Sequence, residues 1–308
     1  MSPPLEPLFV LGCGRLGSTL TPLNDTQSLA FVRQAYDWGV RHFDTASIYG
    51  QGDSELLLGR ALQSRFDNVC IATKAGQRLT PRQRLMRPFK PLVRSLMRSR
   101  TKTQTFSVDQ GQTLGTAPLP ATADSSPQAA AVVAAKLVAA QRAQGVNYCF
   151  EPGFLMASLR ASLARLGAAR VELFYLHSPS PLGLAQPALW DALDRARREN
   201  LFGQLGVSCD EFDTAEAALA CEGVEVIQFQ PDGSVRSHAI LQHAAERGVQ
   251  VYARLGPHRH GDTVQALRTV LAAPAVTAVV MGTTNAEHLA ENLRAFRLAT
   301  GPHRGLPP

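Results

Sequence analysis

Eight short β-branched runs, each followed by a helix-length amphipathic segment, predict an α/β chain closed as a (β/α)8 TIM barrel. Two further observations support that class. The 308 residues are ordinary for one barrel with an insertion, and 45% apolar against 18% charged residues is the balance of a globular enzyme with a sizeable core. Helix stop signals also fall where the pattern needs them, with glycine at Gly39, Gly167, Gly203 and Gly248.

In order, the strands expected are Leu8–Leu11, His42–Ala46, Val69–Thr73, Val171–Leu176, Gln204–Val207, Val224–Phe229, Val249–Ala253 and Thr277–Val280. Helices are expected at Gln27–Trp38, Ser54–Gln63, Gly153–Leu166, Pro187–Asn200, Phe212–Ala220, Ser237–Arg247, Thr263–Leu271 and Glu287–Phe296. Asp25, Asp53 and Asp210 precede three of them and read as N-cap residues.

One interval interrupts the rhythm. A long basic insertion, residues 76–150, separates strand 3 from helix 3 within a chain otherwise read as a single barrel domain, 1–308. Arg78 to Val108 holds nine Lys/Arg and no Asp or Glu, with apolar residues at helical spacing interrupted by Pro88 and Pro91. Thr113–Pro127 has linker composition and is expected to be partly disordered, and Ala-rich 129–144 reads as a helix. The functional reading is a lid, or a docking surface for an acidic partner such as a phosphate-bearing molecule or a carrier protein; the alternatives are contact with an anionic membrane and a solvated loop without a ligand.

Composition narrows the function. A net charge of +6, from 31 Lys+Arg against 25 Asp+Glu, is concentrated in that insertion and accompanies no nucleic-acid-binding module. No apolar stretch is long enough for a transmembrane segment, and the first residues lack a secretory pattern. Five widely spaced cysteines (Cys13, Cys70, Cys149, Cys209, Cys221) predict reduced thiols and a cytoplasmic setting. His258 and His260 lack a third ligand in view, so no metal site is expected.

Gly12-Cys13-Gly14-Arg15-Leu16-Gly17 matches the dinucleotide G-x-G-x-x-G spacing, but STLTPLND follows where a helix would have to open, so the Rossmann reading is set aside. The chemistry lies instead at strand ends. Asp44 ends strand 2 with Tyr49 five residues on, Lys74 ends strand 3 and His177 ends strand 4, the face where barrel enzymes react. A phenol is a weak acid near pH 7; an ammonium beside it is expected to lower its pKa, a carboxylate to hold the ammonium, and an imidazole to bind the same substrate oxygen. That set suits a proton donor aimed at a carbonyl to which a cofactor delivers hydride.

The segments FDTASIYGQGDSELLLGRAL, IATKAG, SLRASLARLGAARVELFYLHSP, LGVSCD, VEVIQFQ, GVQVYARLG and VVMGTTNAEHLAENLRAF resemble the aldo-keto reductases in order and spacing. The resemblance implies an NAD(P)H-dependent oxidoreductase acting on a small carbonyl or alcohol substrate, with Asp44, Tyr49, Lys74 and His177 as its tetrad and Tyr49 as general acid. It further implies that Asp44, Ser208, Cys209 and Gln228 approach the nicotinamide and that Arg254 stacks on its ring. Gly282, Thr283, Thr284, His288, Glu291 and Asn292 would hold the adenosine half, and Gly14 and Arg15 would lie against the cofactor. Two departures stand out. Cys209 replaces the family's usual Asn, so that one carboxamide contact is missing or replaced, and Gly282–His288 carries no Lys or Arg to clamp a 2′-phosphate, which leaves NADP(H) or NAD(H) open with a slight lean to NADP(H). The competing expectations are a non-catalytic nicotinamide-binding protein docking an acidic partner, and an enzyme on carrier-tethered intermediates.

Overall fold

The computed structural model describes residues 7–18, 21–80, 147–256 and 263–301. Eight parallel strands close into a barrel: β1 (Leu8–Gly12), β2 (His42–Asp44), β3 (Cys70–Ala75), β4 (Val171–His177), β5 (Phe202–Ser208), β6 (Val226–Phe229), β7 (Gln250–Leu255) and β8 (Val276–Gly282). Sequential strands are neighbours, and β8 pairs with β1 in a register that sets Gly12 opposite Gly282. The helices that follow are α1 (Asp25–Asp37), α2 (Asp53–Leu62), α3 (Pro152–Leu166), α4 (Pro187–Arg198), α5 (Phe212–Leu219), α6 (Val235–Arg247), α7 (Thr263–Leu271) and α8 (Ala286–Thr300).

Period-two alternation decides what the barrel encloses. Val10, Ala72, Leu173, Tyr175, Val226, Tyr252, Ala278 and Val280 form one buried cluster inside it. Residues of the other parity, such as Phe43, Phe174, Val207, Ile227 and Val279, join the larger cluster packed under the helices. The ring of Tyr175 fills the lumen only because residue 206 is glycine, where a Cβ would come within 2.5 Å of it. Continuing the inward parity by one step brings Asp44, Lys74, His177, Ser208, Gln228 and Arg254 to the C-terminal mouth.

The helix faces obey the complementary period. In α1, Ser28, Phe31, Val32 and Ala35 are buried, the spacing of one apolar stripe. Its start differs from expectation. Asn24 is the N-cap, in a reciprocal capping box with Gln27, and Asp25 is the first helical residue. Asp53 likewise lies inside α2, after Gly52, and Glu211 rather than Asp210 precedes α5. Asp25 and Asp53 move one position into the first turn, where a carboxylate also satisfies the helix dipole, whereas Asp210 falls one position outside its helix, held by Arg254 and Ser178. Gly203 does not stop a helix but lies within β5; α4 ends earlier, at Glu199 and a left-handed Asn200.

One compact unit takes Met1–Arg78 and Tyr148–Pro308. The insertion expectations for 81–146 and the pair His258 and His260 lie outside the described residues. No helix among the described residues is long and apolar enough to cross a membrane, and all five cysteines are free thiols.

Candidate active site

The backbone ladder continues past the strand ends and fixes the loops there: Cys13 N–H donates to Asp44 O at 2.8 Å, Thr45 to Ala72 O at 2.9 Å, Ser47 to Lys74 O at 3.0 Å and Cys209 to Gln228 O at 2.7 Å. On this platform Tyr49 opens a single 3-10 turn, Tyr49–Gly52, whose Gly50 and Gly52 take φ of 56° and 95°. A Cβ at Gly50 would sit 2.8 Å from Gly17 O, so this close turn needs glycine twice over.

The structure brings the tetrad together. Lys74, fully buried, donates through Nζ to Asp44 Oδ1 and to Thr45 O at 3.1 Å. Its Nζ stands 5.3 Å from the centroid of the Tyr49 ring and 5.5 Å from that of Tyr175. Tyr49 and His177 meet edge to face, with centroids 5.8 Å apart and planes at 90°. A second chain runs inward from Ser208: its hydroxyl donates to Gln228 Oε1 at 3.1 Å, and Gln228 Nε2 donates to Asp44 Oδ2 at 2.8 Å. Both carboxylate oxygens of Asp44 are thus held, one by a cation and one by an amide.

The electrostatics correct one expectation. Burial raises the Tyr49 phenol above its ordinary value; Lys74 and Arg254 pull it down, Asp44 and Asp210 push it up, and desolvation prevails. The phenol therefore keeps its proton at neutral pH. Burial first, and Lys74 second, hold the His177 imidazole down at about 3, so it stands neutral beside Tyr49. Its Nδ1 is buried without a hydrogen-bond partner.

The positions implied for a nicotinamide cofactor divide. Ser208 and Gln228 face the mouth, and each end of the Gln228 amide has hydrogen-bonding capacity left. The Cys209 side chain turns away from the mouth: it is buried in the helix-side core, with Sγ donating to Val207 O at 3.5 Å, while its carbonyl accepts from Arg254. Gly14 and Arg15 are exposed, and a Cβ added at Gly14 would rest 3.7 Å from the Tyr49 ring. Gly282 is exposed where β8 meets β1. Thr283 Oγ1 accepts from Asn285 N–H at 3.0 Å, and Asn285 caps α8. Thr284 is half-buried in the same loop, while His288, Glu291 and Asn292 share one face of the first turns of α8.

Sequence reasoning missed three contributors. Asp210 binds Arg254 Nη1 at 2.8 Å and accepts from Ser178 Oγ at 2.5 Å; burial raises its pKa, but Arg254, these bonds and His177 bring it below the ordinary carboxylate value. Ser178, directly after His177, has a left-handed φ of 54°, held by its bonds to Asp210 and Ser208 O. Behind Lys74, fully buried Glu55 accepts from Thr73 Oγ1 at 2.5 Å and Arg165 Nε at 2.6 Å, tying β3 to α2 and α3. Its signal was a Glu among the apolar residues of α2.

The Aldo/keto reductase family model matches residues 9–113 and 111–261. D-threo-aldose 1-dehydrogenase of a Pseudomonas species is 27% identical over 224 residues, 72% of this chain and 55% of that protein. Pyridoxal 4-dehydrogenase of Microbacterium luteolum is 36% identical over 70 residues, 23% of this chain and 20% of that protein. The chain thus spans about half the length of the first of these relatives and less of the second. The holo form of aldo-keto reductase AKR11C1 from Bacillus halodurans superposes with a TM-score of 0.62 at 17% identity, covering 95% of this chain and 89% of that one. An aldo-keto reductase of Klebsiella pneumoniae in complex with NADPH superposes at 0.58 with 17% identity, covering 98% and 95%. At that identity the two share its fold. The family match runs through β1 to β7 and takes in all four tetrad residues: the chain belongs to the aldo/keto reductase family, a family of oxidoreductases.

Proposed function

We propose that this protein reduces an aldehyde or ketone to an alcohol, or runs the reverse oxidation, using a nicotinamide cofactor, with Tyr49 exchanging the proton. The observation that carries the reading is that both Lys74 Nζ, 5.3 Å from its centroid, and the perpendicular ring of neutral His177 stand beside the Tyr49 ring. When bound, the cofactor supplies or accepts hydride at the carbonyl carbon. The chain's own groups handle the proton. Tyr49 holds one at neutral pH, Lys74 makes its departure less costly by facing the developing phenolate, and Asp44 keeps that ammonium in place. His177 orients the substrate oxygen.

The residues fit the cofactor. Gln228 and Ser208 offer amide and hydroxyl groups for a carboxamide, Arg254 offers a planar guanidinium held at two points, and exposed glycines leave backbone open to the cofactor at 14 and to its adenosine half at 282. The reading leans to NADP(H), as in the NADPH complex of the Klebsiella relative, although Gly282–His288 lacks the cation that would grip a 2′-phosphate. The named substrates of the relatives, an aldose and pyridoxal, support a small carbonyl compound or its alcohol. We further read the chain as one barrel domain carrying an insertion, in a reducing cytoplasm where its five thiols stay free.

Replacing Tyr49 by Phe tests the role. Following cofactor absorbance with a panel of aldehydes, Tyr49→Phe is expected to lower kcat by about 10²–10⁴ while folding normally. Turnover equal to that of the wild type would overturn the assignment.

A further inference from the structure

The proton transfer uses Tyr49, Lys74, Asp44 and His177, and leaves unexplained a set of buried polar groups behind them. Ser54 and Glu55 stand in the first turn of α2, just after the 3-10 turn that Tyr49 opens, and both are fully buried. Each reaches back to a residue that holds or adjoins Lys74. Ser54 Oγ donates to Cys13 O at 3.0 Å and, with its one hydrogen engaged there, accepts from Thr45 Oγ1 at 2.8 Å. The carbonyl of that same Thr45 accepts from Lys74 Nζ at 3.1 Å. Glu55 Oε1 accepts at 2.5 Å from the hydroxyl of Thr73, the residue before Lys74 on β3. Its Oε2 accepts from Arg165 Nε at 2.6 Å, and the stem of Arg165 packs on the Tyr49 turn, where a Cβ at Gly52 would lie 3.0 Å from Arg165 Cδ.

Stability alone does not account for this arrangement. Thr45 and Thr73 are as completely buried as Ser54 and Glu55, and Glu55 has given up its hydration for one hydroxyl and one guanidinium. Apolar side chains of similar volume would anchor a helix start at least as firmly, because a buried ion pair recovers little beyond its desolvation cost. What a satisfied buried network adds to apolar packing is direction, since it admits one arrangement of its members. The arrangement fixed here is that of a turn against a strand. Tyr49 opens the turn, and Lys74, whose Nζ stands 5.3 Å from the phenol ring centroid, lies near the end of β3. Groups that must face each other through a reaction lose rate steeply when displaced by about 1 Å.

We propose that Ser54 and Glu55 are positioning residues for the proton transfer, two arms from the first turn of α2, one through Thr45 and one through Thr73, that hold the Tyr49 phenol in register with the Lys74 ammonium. This inference rests on the carbonyl-reductase reading for the reaction it serves, but the register has a readout of its own.

Ser54→Ala and Thr73→Val open one arm each by removing a single hydroxyl, and they leave every charge in place, so a change at Tyr49 comes from position. Where either lacks a cooperative thermal transition, Thr45→Val or Thr73→Ala opens the same arm instead. The first measurement labels the five tyrosines with 13C at Cζ, assigns Tyr49 as the resonance missing from Tyr49→Phe, and follows its ionisation with pH. Lys74 favours the phenolate, so a phenol out of register is expected to ionise at higher pH than in the wild type, with Tyr36 on α1 unmoved. The second is turnover of the best aldehyde of the panel: kcat is expected to fall about tenfold, and its high-pH limb to move the same way as the titration. The third is NADPH affinity by fluorescence titration, expected to stay unchanged. A lower melting temperature with the Tyr49 titration unmoved would make the arms structural supports and overturn the proposal; so would a loss of kcat matched by an equal loss of NADPH affinity. A shifted titration in a protein whose wild type turns over no aldehyde would sink the reductase reading and leave the positioning standing, whereas turnover with an unmoved titration would do the reverse.

Discussion

Two ion pairs stand at the same end of this barrel in opposite surroundings. Lys74 and Asp44 are sealed, with side chains 1% and 5% exposed; Arg254 and Asp210 are 30% and 44% exposed. The sealed pair has surrendered its hydration and is compensated at every point the structure describes: Lys74 bonds Thr45 O, and the second oxygen of Asp44 receives the Gln228 amide. The wetter pair keeps part of its hydration and leaves Arg254 Nε unsatisfied. Burial thus separates the two. A cation that must face a phenol through a reaction is locked in place by surroundings that forbid its removal, whereas the outer pair stays within reach of solvent.

That contrast yields predictions of decreasing size. Lys74→Met strands the Asp44 carboxylate in a nearly dry site and is expected to destabilise the fold by about 3–5 kcal/mol, read from urea unfolding, together with loss of turnover. A fall below about 1 kcal/mol would erase the distinction between the pairs.

Next in size is a pH effect. The folded pKa of His177, about 3, lies below its ordinary value of 6.5. Between those values the unfolded chain binds a proton that the folded chain refuses, so this residue makes stability fall as pH drops through the window. The slope is up to about 1.4 kcal/mol per pH unit. Unfolding measured at intervals from pH 7 to pH 4 should show that slope reduced in His177→Asn; equal slopes in the two proteins would place the imidazole in a wetter site than the one described. The smallest effect falls on the exposed pair. Asp210→Asn is expected to change stability by less than about 1 kcal/mol in the same assay. A larger loss would make that pair structural.

Much of the candidate site was legible before any coordinates. Strand ends were readable because Phe174-Tyr175-Leu176 runs as β-formers up to His177, and short runs likewise stop at Asp44 and Lys74, so the four candidate positions followed from counting. Asp210 was not legible. An Asp just before a helical pattern reads as an N-cap, and only the packing of β5 beside β4 and within reach of β7 turns it towards Arg254. The course of the Cys209 side chain also needed the fold: the sequence leaves the contact of the family's Asn missing or replaced, and alternation, which places Ser208 in the lumen, sends its successor into the core.

Periodicity and punctuation, then, determined the number, order and kind of elements and the barrel they build. They are local properties, set by sterics and by which face of each segment is apolar. Tertiary structure alone decided which polar groups pair across strands, and whether desolvation or a neighbouring ammonium governs the Tyr49 proton. Those outcomes depend on distance and dielectric between residues far apart in the chain, such as Asp44 and Gln228, and neither quantity exists until the barrel closes.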